Sequence, residues 1–291
     1  EVFGTRAQAN VTSILPSEHD KTSYLYMLFG FLYCLCSPKR FRLIKLFFYF
    51  LIRRNKFLAK DLMCIVWFLK SRDIKIDNCV AHFGSNGVIF DYLVKAELIE
   101  CDNLFTIFHG YEISRYDQLT IWEKLYGKLG GKLLPISEHW KSKLVSLGVA
   151  PSRIEVVHMG VDVDRFSYNE KAASTPLSIL SVARATEKKG LHFAIEAVLM
   201  CPIECSYTII GDGVLLPELR NKANNHPNGH RVIFKGAQPS SVVASSLKST
   251  DLFLLPSVRD SSGDMEGIPV SLMEAMASGV VVLSTVHSGI P

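Results

Sequence analysis

From residue 74 onward the chain repeats one pattern: a short apolar run rich in β-branched and aromatic residues, a turn, then a longer amphipathic stretch. The runs are IDNCVAHF (76–83), LFTIFHG (104–110), KLLPIS (132–137) and IEVVHMG (154–160). They resume as LSILSVA (177–183), CSYTIIGDG (205–213), RVIFKG (231–236), DLFLLPS (251–257) and VVVLST (280–285). Strands that are apolar almost throughout and alternate with helices are buried on both faces, as in a parallel sheet between helical layers. Two such sets predict an α/β protein of two doubly wound domains, over 1–165 and 177–291. The segment 166–176 between them is polar, ends in Ser-Thr-Pro and reads as a linker. A chain of 291 residues has room for two domains.

Composition narrows the class. With 48% hydrophobic and 21% charged residues the chain is globular, and a net charge of +4 is too small to point to nucleic acid. The seven cysteines form no CxxC pair and their odd number closes no disulfide framework, so reduced thiols in a cytosolic compartment are expected. No Cys/His cluster has zinc spacing, and no metal site is expected. The chain opens on Glu1 without signal-peptide features and stops just after an apolar run, so both ends are expected to be truncations.

Residues 22–70 stand apart. TSYLYMLFGFLYCLC is apolar but shorter than the roughly 20 residues needed to span a bilayer. The segment after it carries Lys39, Arg40, Arg42, Lys45, Arg53, Arg54, Lys56 and Lys60 with no acidic residue among them. It reads as helical hairpin material with a basic, apolar surface. Two readings stay open: a helical elaboration packed on its own domain, or an interfacial segment resting on anionic lipid.

Open α/β sheets bind ligands beyond the carboxyl ends of their strands, and polar and glycine residues gather there: His82-Phe83-Gly84, His109-Gly110, Arg184, Gly211-Asp212-Gly213 and Glu266-Gly267. A dinucleotide fingerprint is disfavoured, because Val214, Leu215 and Leu216 follow Gly211-Asp212-Gly213 where a third glycine belongs. In EGIPVSLMEAMASG (266–279), Glu266 and Gly267 form a loop, Ile268 follows, and Pro269 suits the first turn of a helix. Glu274 lies on that helix. Its free N–H groups suit a diphosphate, and the two carboxylates could hold sugar hydroxyls either side. In SVARATEKKGL (181–191), Arg184 and Lys189 could offset negative charge on a departing diphosphate. In FHGYEIS (108–114), His109 sits at a strand end with Glu112 close behind. Each segment also has a plain structural reading, as an N-terminal acid, a solvated basic loop or a structural histidine.

Together these segments resemble family 4 retaining glycosyltransferases of the GT-B fold. EGIPVSLMEAMASG is similar to the E-x7-E region, SVARATEKKGL to the GR…KKGL segment and FHGYEIS to the HG-x-D segment. AHFGSNGV (81–88) and the stretch 136–166 match in order, and the flavour is that of bacterial exopolysaccharide enzymes of the colanic acid type. The resemblance implies two Rossmann-like domains facing a cleft and a UDP- or GDP-sugar donor. It also implies retained anomeric configuration and no required metal. By resemblance, Arg184 and Lys189 contact the diphosphate, Glu266 faces the donor sugar, Glu274 binds the ribose, and His109 lies near the transferred sugar. Gly211, Gly267, Ile268 and Pro269 complete the donor side. The acceptor implied is a glycan or lipid-linked oligosaccharide, on a cytoplasmic enzyme peripheral to the inner face of the membrane. Ala183 and Glu112 depart from the family's usual Gly and Asp. A sugar-nucleotide 2-epimerase and a non-catalytic subunit of the same fold are the alternatives.

Overall fold

The computed structural model describes residues 22–53, 55–170 and 174–291. The opening residues and their expected truncation lie outside the described residues, as do 171–173 of the expected linker. In chain order the elements are α1 (Thr22–Leu35), α2 (Phe41–Ile52), α3 (Lys56–Leu69), β1 (Lys75–His82), α4 (Gly84–Lys95), β2 (Glu100–Phe108), α5 (Tyr111–Ser114), α6 (Tyr116–Tyr126), β3 (Lys132–Pro135) and α7 (Glu138–Ser146). There follow β4 (Leu177–Val182), α8 (Leu191–Met200), β5 (Cys205–Ile210), α9 (Leu216–Asn224), β6 (Val232–Gly236), α10 (Ser240–Leu247), β7 (Leu252–Leu255), α11 (Val270–Ala277) and β8 (Val281–Ser284).

The chain divides into two compact units. The first holds residues up to Ala81, Ser85–Phe105 and Leu129–Gly131; the second holds His82–Gly84, Thr106–Lys128 and Lys132–Pro291. The second unit therefore takes in the strand ends that carry His82 and His109 along with everything from β3 onward.

In the first unit α1 packs on α3. Phe29 stacks on Trp67 with ring centroids 4.9 Å apart, and Tyr26 meets Phe68 at 5.2 Å. The helices approach closely enough that a Cβ on Gly30 would lie 2.0 Å from the Met63 carbonyl oxygen, so only glycine fits there. On α2, Leu43, Ile44, Leu46, Phe47 and Phe50 are buried. Asn55 caps α3 by accepting from the Leu58 N–H at 3.1 Å. The expected hairpin is thus three helices, because Pro38 and Asn55 both interrupt the apolar run. Strands β1, β2 and β3 make a separate three-stranded sheet in that order, and β3 belongs to the second unit.

In the second unit, five strands run in the order β6-β5-β4-β7-β8, and each pair is parallel. Chain order therefore reverses between β4 and β7, the switch point at which doubly wound sheets bind ligands. Side chains alternate across the sheet. Ile179, Tyr207, Ile209 and Leu254 bury one face with Leu191, Ala194, Ile195 and Val198 of α8 and Leu219 of α9. Leu180, Ile210, Phe253 and Leu255 bury the other with Val243 and Leu247 of α10 and Leu272 and Ala275 of α11. Period-two alternation with apolar residues on both faces requires both helical layers, each large side chain contributing about 1.5–3 kcal/mol. Phe166, at the start of the expected linker, packs into the second of these cores.

One expected strand is not one. Residues 154–160 make only an isolated parallel bridge, Leu133 to Ile154. The Glu155 and Val157 N–H groups reach the Leu133 and Pro135 carbonyls, both at 3.0 Å, and the pairing goes no further. All seven cysteines are free. Among the described residues no helix is long and apolar enough to cross a membrane.

Gly30→Ala should lower the unfolding free energy by about 1–3 kcal/mol, the usual cost of overpacking, because α1 and α3 must part to admit the methyl. Urea unfolding of the variant beside the parent protein measures it; an unchanged midpoint would refute the close crossing.

Candidate active site

The site is built where the loops after β4 and β7 meet. Lys189 Nζ lies 3.0 Å from Glu266 Oε2, and Lys188 Nζ lies 3.0 Å from Asp264 Oδ2. One backbone and one side-chain hydrogen bond tie the same loops: Val258 N–H donates to the Lys188 carbonyl at 2.9 Å, and Ser261 Oγ donates to Glu187 Oε2 at 2.7 Å. Neighbouring lysines on one loop thus engage acids two apart on the other. Both pairs are nearly buried, and removing one partner of such a pair costs about 3–5 kcal/mol. Burial pushes the Lys189 ammonium below its ordinary value, and the Glu266 carboxylate pulls it back up.

Glu266 is 5% exposed. Its Oε1 is buried and has no hydrogen-bond partner among the described residues. A buried carboxylate oxygen without a donor costs stability, and a ligand hydroxyl is the donor it suits. The same holds for Asp264 Oδ1. The Glu266 N–H donates to His287 Nε2 at 3.4 Å, and the Ser288 hydroxyl donates to the Glu266 carbonyl, so the segment after β8 fixes the loop as well.

Gly267 needs its lack of a side chain, because a Cβ would lie 2.4 Å from the His109 carbonyl oxygen and 2.6 Å from Ile136 Cδ1. His109 is thereby held beside the Glu266 loop. Its backbone N–H donates to Glu112 Oε1 at 2.8 Å. Its Nε2 lies 3.1 Å from His82 Nδ1, with the two rings stacked at 5.3 Å. Burial, and then His82, lowers the His109 imidazole below its ordinary value, favouring the neutral ring. Glu112 is 0% exposed. Burial raises its carboxyl, and the backbone N–H groups of His109, Gly84 and Gly110 partly offset this. The acid that sequence placed beside His109 is therefore a post for its loop.

Across the carboxyl ends of β4, β5 and β6 lies a groove of about 740 Å³ lined by Arg184, Gly211, Asp212, Gly213, Val214 and Gln238 among others. Arg184 stands exposed on its rim and close enough to Lys189 to disfavour that ammonium further. Gly211 has φ +143°, and a Cβ there would lie 1.9 Å from the Ala183 carbonyl oxygen. The two glycines once weighed as part of a fingerprint let this loop run directly against the loop after β4.

Helix α11 begins at Val270, with Pro269 as the residue preceding it at φ −64° and ψ 115°. Pro269 is thus the N-cap and not in the first turn; its ring fixes φ before the helix begins. Ile268 and Pro269 line a second cavity of about 390 Å³ with His139, His158 and Met273. Glu274 is half-buried on α11, its carboxyl raised by burial and lowered again by Arg165. The structure therefore brings Arg184, Lys189, Glu266, Gly267 and His109 together, with Gly211 in the adjoining groove. Glu274 stands about two turns further along the chain and makes no hydrogen bond to this group. Sequence reasoning missed Lys188–Asp264, His287, Ser288 and the pairing of His82 with His109. The acid two residues before Glu266, opposite a Lys-Lys doublet, was the available signal for the first.

Glu112→Ala should cost about 1–3 kcal/mol, since the His109 N–H then loses its buried acceptor. Glu112→Gln keeps an acceptor. The raised folded-state value means that stability tied to Glu112 is full below 4.5 and is lost as pH rises through the folded value. The Gln variant should therefore gain on the parent between pH 5 and pH 8 in urea unfolding. A gap that narrows over that range would refute the assignment.

The family model for glycosyl transferases group 1 matches residues 162–291. The chain is 44% identical to WcaL of Escherichia coli strain K12, named as a colanic acid biosynthesis glycosyltransferase, over 75% of this chain and 55% of that protein. It is 41% identical to the amylovoran biosynthesis glycosyltransferase AmsK of Erwinia amylovora, over 74% of this chain and 54% of that protein. The chain thus spans about half the length of the curated relatives it matches. Among solved structures, Anabaena Alr3699/HepE in complex with UDP-glucose superposes with a TM-score of 0.60 at 17% identity, covering 73% of this chain and 60% of that one. The family match and these identities identify residues 162–291 as a glycosyl transferases group 1 domain and the chain as a relative of the bacterial exopolysaccharide glycosyltransferases.

Proposed function

We propose that the protein transfers a sugar, with retained anomeric configuration, from a nucleotide-sugar donor to a glycan or lipid-linked acceptor in bacterial surface polysaccharide biosynthesis. The observation that carries this reading is the buried Lys189–Glu266 pair at the switch point, with one carboxylate oxygen of Glu266 left without a donor. A diphosphate arriving at the groove beyond β4 and β5 meets the Arg184 guanidinium and then the Lys189 ammonium. A sugar attached to it reaches Glu266 Oε1, which accepts a hydroxyl. The acceptor hydroxyl oxygen bonds to the anomeric carbon as the bond from that carbon to the diphosphate breaks. The electron pair of the broken bond leaves on the phosphate oxygen, which takes up the hydroxyl proton, and negative charge develops on the departing diphosphate. Arg184 and Lys189 offset that charge without a metal cofactor. His109, neutral at physiological pH, lies on the acceptor side next to Gly267. Glu274 binds the ribose in this reading.

The donor is a UDP- or GDP-sugar in this reading: a structural neighbour was solved with UDP-glucose, and a sequence relative is named as GDP-mannose-dependent. We place the reaction on the cytoplasmic side of the inner membrane, on a peripheral enzyme.

A thermal-shift panel of UDP- and GDP-sugars on the whole protein tests the donor. A ligand at a hundredfold excess over its Kd stabilises by about 2.7 kcal/mol, so the true donor raises Tm by several degrees and the others do not. With that donor, Arg184→Ala and Glu266→Gln should each lower transfer by about 10²–10³-fold, the usual effect of removing one preorganised charge-stabilising group. Arg184 is exposed, so its variant should keep the parent Tm. Full transfer by either variant, or epimerised donor as the product, would overturn the reading.

A further inference from the structure

Helix α1 carries no charged residue. A helix apolar on every side belongs inside a protein or in lipid, yet one side of α1 is exposed. Tyr24, Leu25, Leu28, Leu32 and Leu35 are all exposed, while Gly30 and Cys34 are buried. At 3.6 residues per turn those five side chains fall within an arc of roughly 100°. Helix α2 repeats the arrangement. Its buried side is already occupied by Leu43, Leu46 and Phe50, while Phe41, Phe48 and Ile52 form a second exposed stripe, Ile52 at 79%. The two stripes adjoin, because Phe31 of α1 lies edge-on to Phe48 of α2 at 6.1 Å.

The fringe of this surface has one sign. Arg42 and Lys45 stand exposed beside Phe41. Three cations lie over aromatic rings: Lys45 over Phe41 at 6.0 Å, Arg53 over Tyr49 at 5.5 Å and Lys60 over Tyr24 at 5.9 Å. None of Arg42, Lys45, Arg53 and Lys60 makes an ion pair among the described residues. No acidic residue occurs from Thr22 to Lys60. Long cations that keep their stems on apolar surface and their heads outward match the headgroup layer of a bilayer. At 14 residues α1 is about 21 Å long, too short to span the roughly 30 Å apolar core of a bilayer.

We propose that the exposed faces of α1 and α2 form an in-plane docking surface for an anionic lipid bilayer. Apolar side chains enter the acyl boundary, and Arg42, Lys45, Arg53 and Lys60 contact acidic headgroups. The proposal deepens the peripheral-enzyme reading above by naming the surface responsible. It lies wholly within the first unit and uses no residue of the donor site.

The test is sedimentation of the whole chain with vesicles of phosphatidylcholine alone and of phosphatidylcholine with 30% phosphatidylglycerol, at low and high salt. Binding should need the anionic lipid and weaken as salt rises. Lys45→Glu, which reverses a charge, should weaken it by more than the roughly fivefold expected for loss of one basic residue. Leu28→Ser with Ile52→Ser, both exposed, should weaken it as strongly while leaving the donor-induced thermal shift unchanged. Binding that ignores lipid charge, or survives both variants, would overturn the proposal. So would a self-associated chain that Lys45→Glu returns to monomer with no vesicle binding, which assigns the face to a second copy. Slow hydrogen exchange on α1 and α2 without vesicles, abolished by deleting residues 1–21, would assign it to that segment instead. Vesicle binding is read without donor or acceptor, so its failure and failure of the transferase reading are told apart.

Discussion

The ion pair between Lys189 and Glu266 is the most deeply buried of the contacts that join the loops after β4 and β7. Everything at the switch point is placed relative to it. The pair fixes the loop carrying Gly267, and Gly267 in turn sets how closely His109 can approach. Desolvating two charges is expensive, and the interaction offsets that cost only because the geometry is good and the neighbouring pair, Lys188 with Asp264, restrains the same loops. Such an arrangement is a poor way to gain stability and a good way to hold opposite charges in register before a polyanionic ligand arrives.

The sheet explains why these residues can meet at all. Lys189 and Glu266 are far apart in sequence, on loops following strands that pair directly, β4 with β7. Only at the reversal of strand order do loops from neighbouring strands diverge to opposite helical layers and leave a crevice. Arg184 and Gly211, beyond β4 and β5, extend the same row of strand ends.

Much of this was legible in the sequence. The apolar runs located the eight strands of the described residues to within a few residues, because short β-branched and aromatic runs between turns mark strands of an α/β sheet. The run at 154–160 misled because its residues suit a strand, yet only two backbone bonds to the neighbouring strand form. Arg184, Lys189 and Glu266 were singled out through motif resemblance, and the structure brings Lys189 and Glu266 into contact. What sequence could not give was pairing in space. Asp264 looks like an ordinary loop acid until Lys188 is seen opposite it. Glu112 looks like part of a motif until its burial and its bond to the His109 N–H are seen. His82 and His109 are separated by a helix, and no periodicity brings their rings together.

The groove beyond β4 and β5 has a floor made largely of main chain. Ala183, Gly211 and Gly213 meet there so closely that a Cβ at Gly211 would strike the Ala183 carbonyl and one at Gly213 the Ala185 carbonyl. Neither loop can acquire bulk without displacing the other, so the two must vary as a single piece. Discrimination between ligands at this depth then rests on contour and on amide and carbonyl groups. Side-chain chemistry is left to the rim, at Arg184, Asp212, Val214 and Gln238. Altered selectivity is therefore more accessible by exchanging rim residues than by reshaping the bottom of the trough.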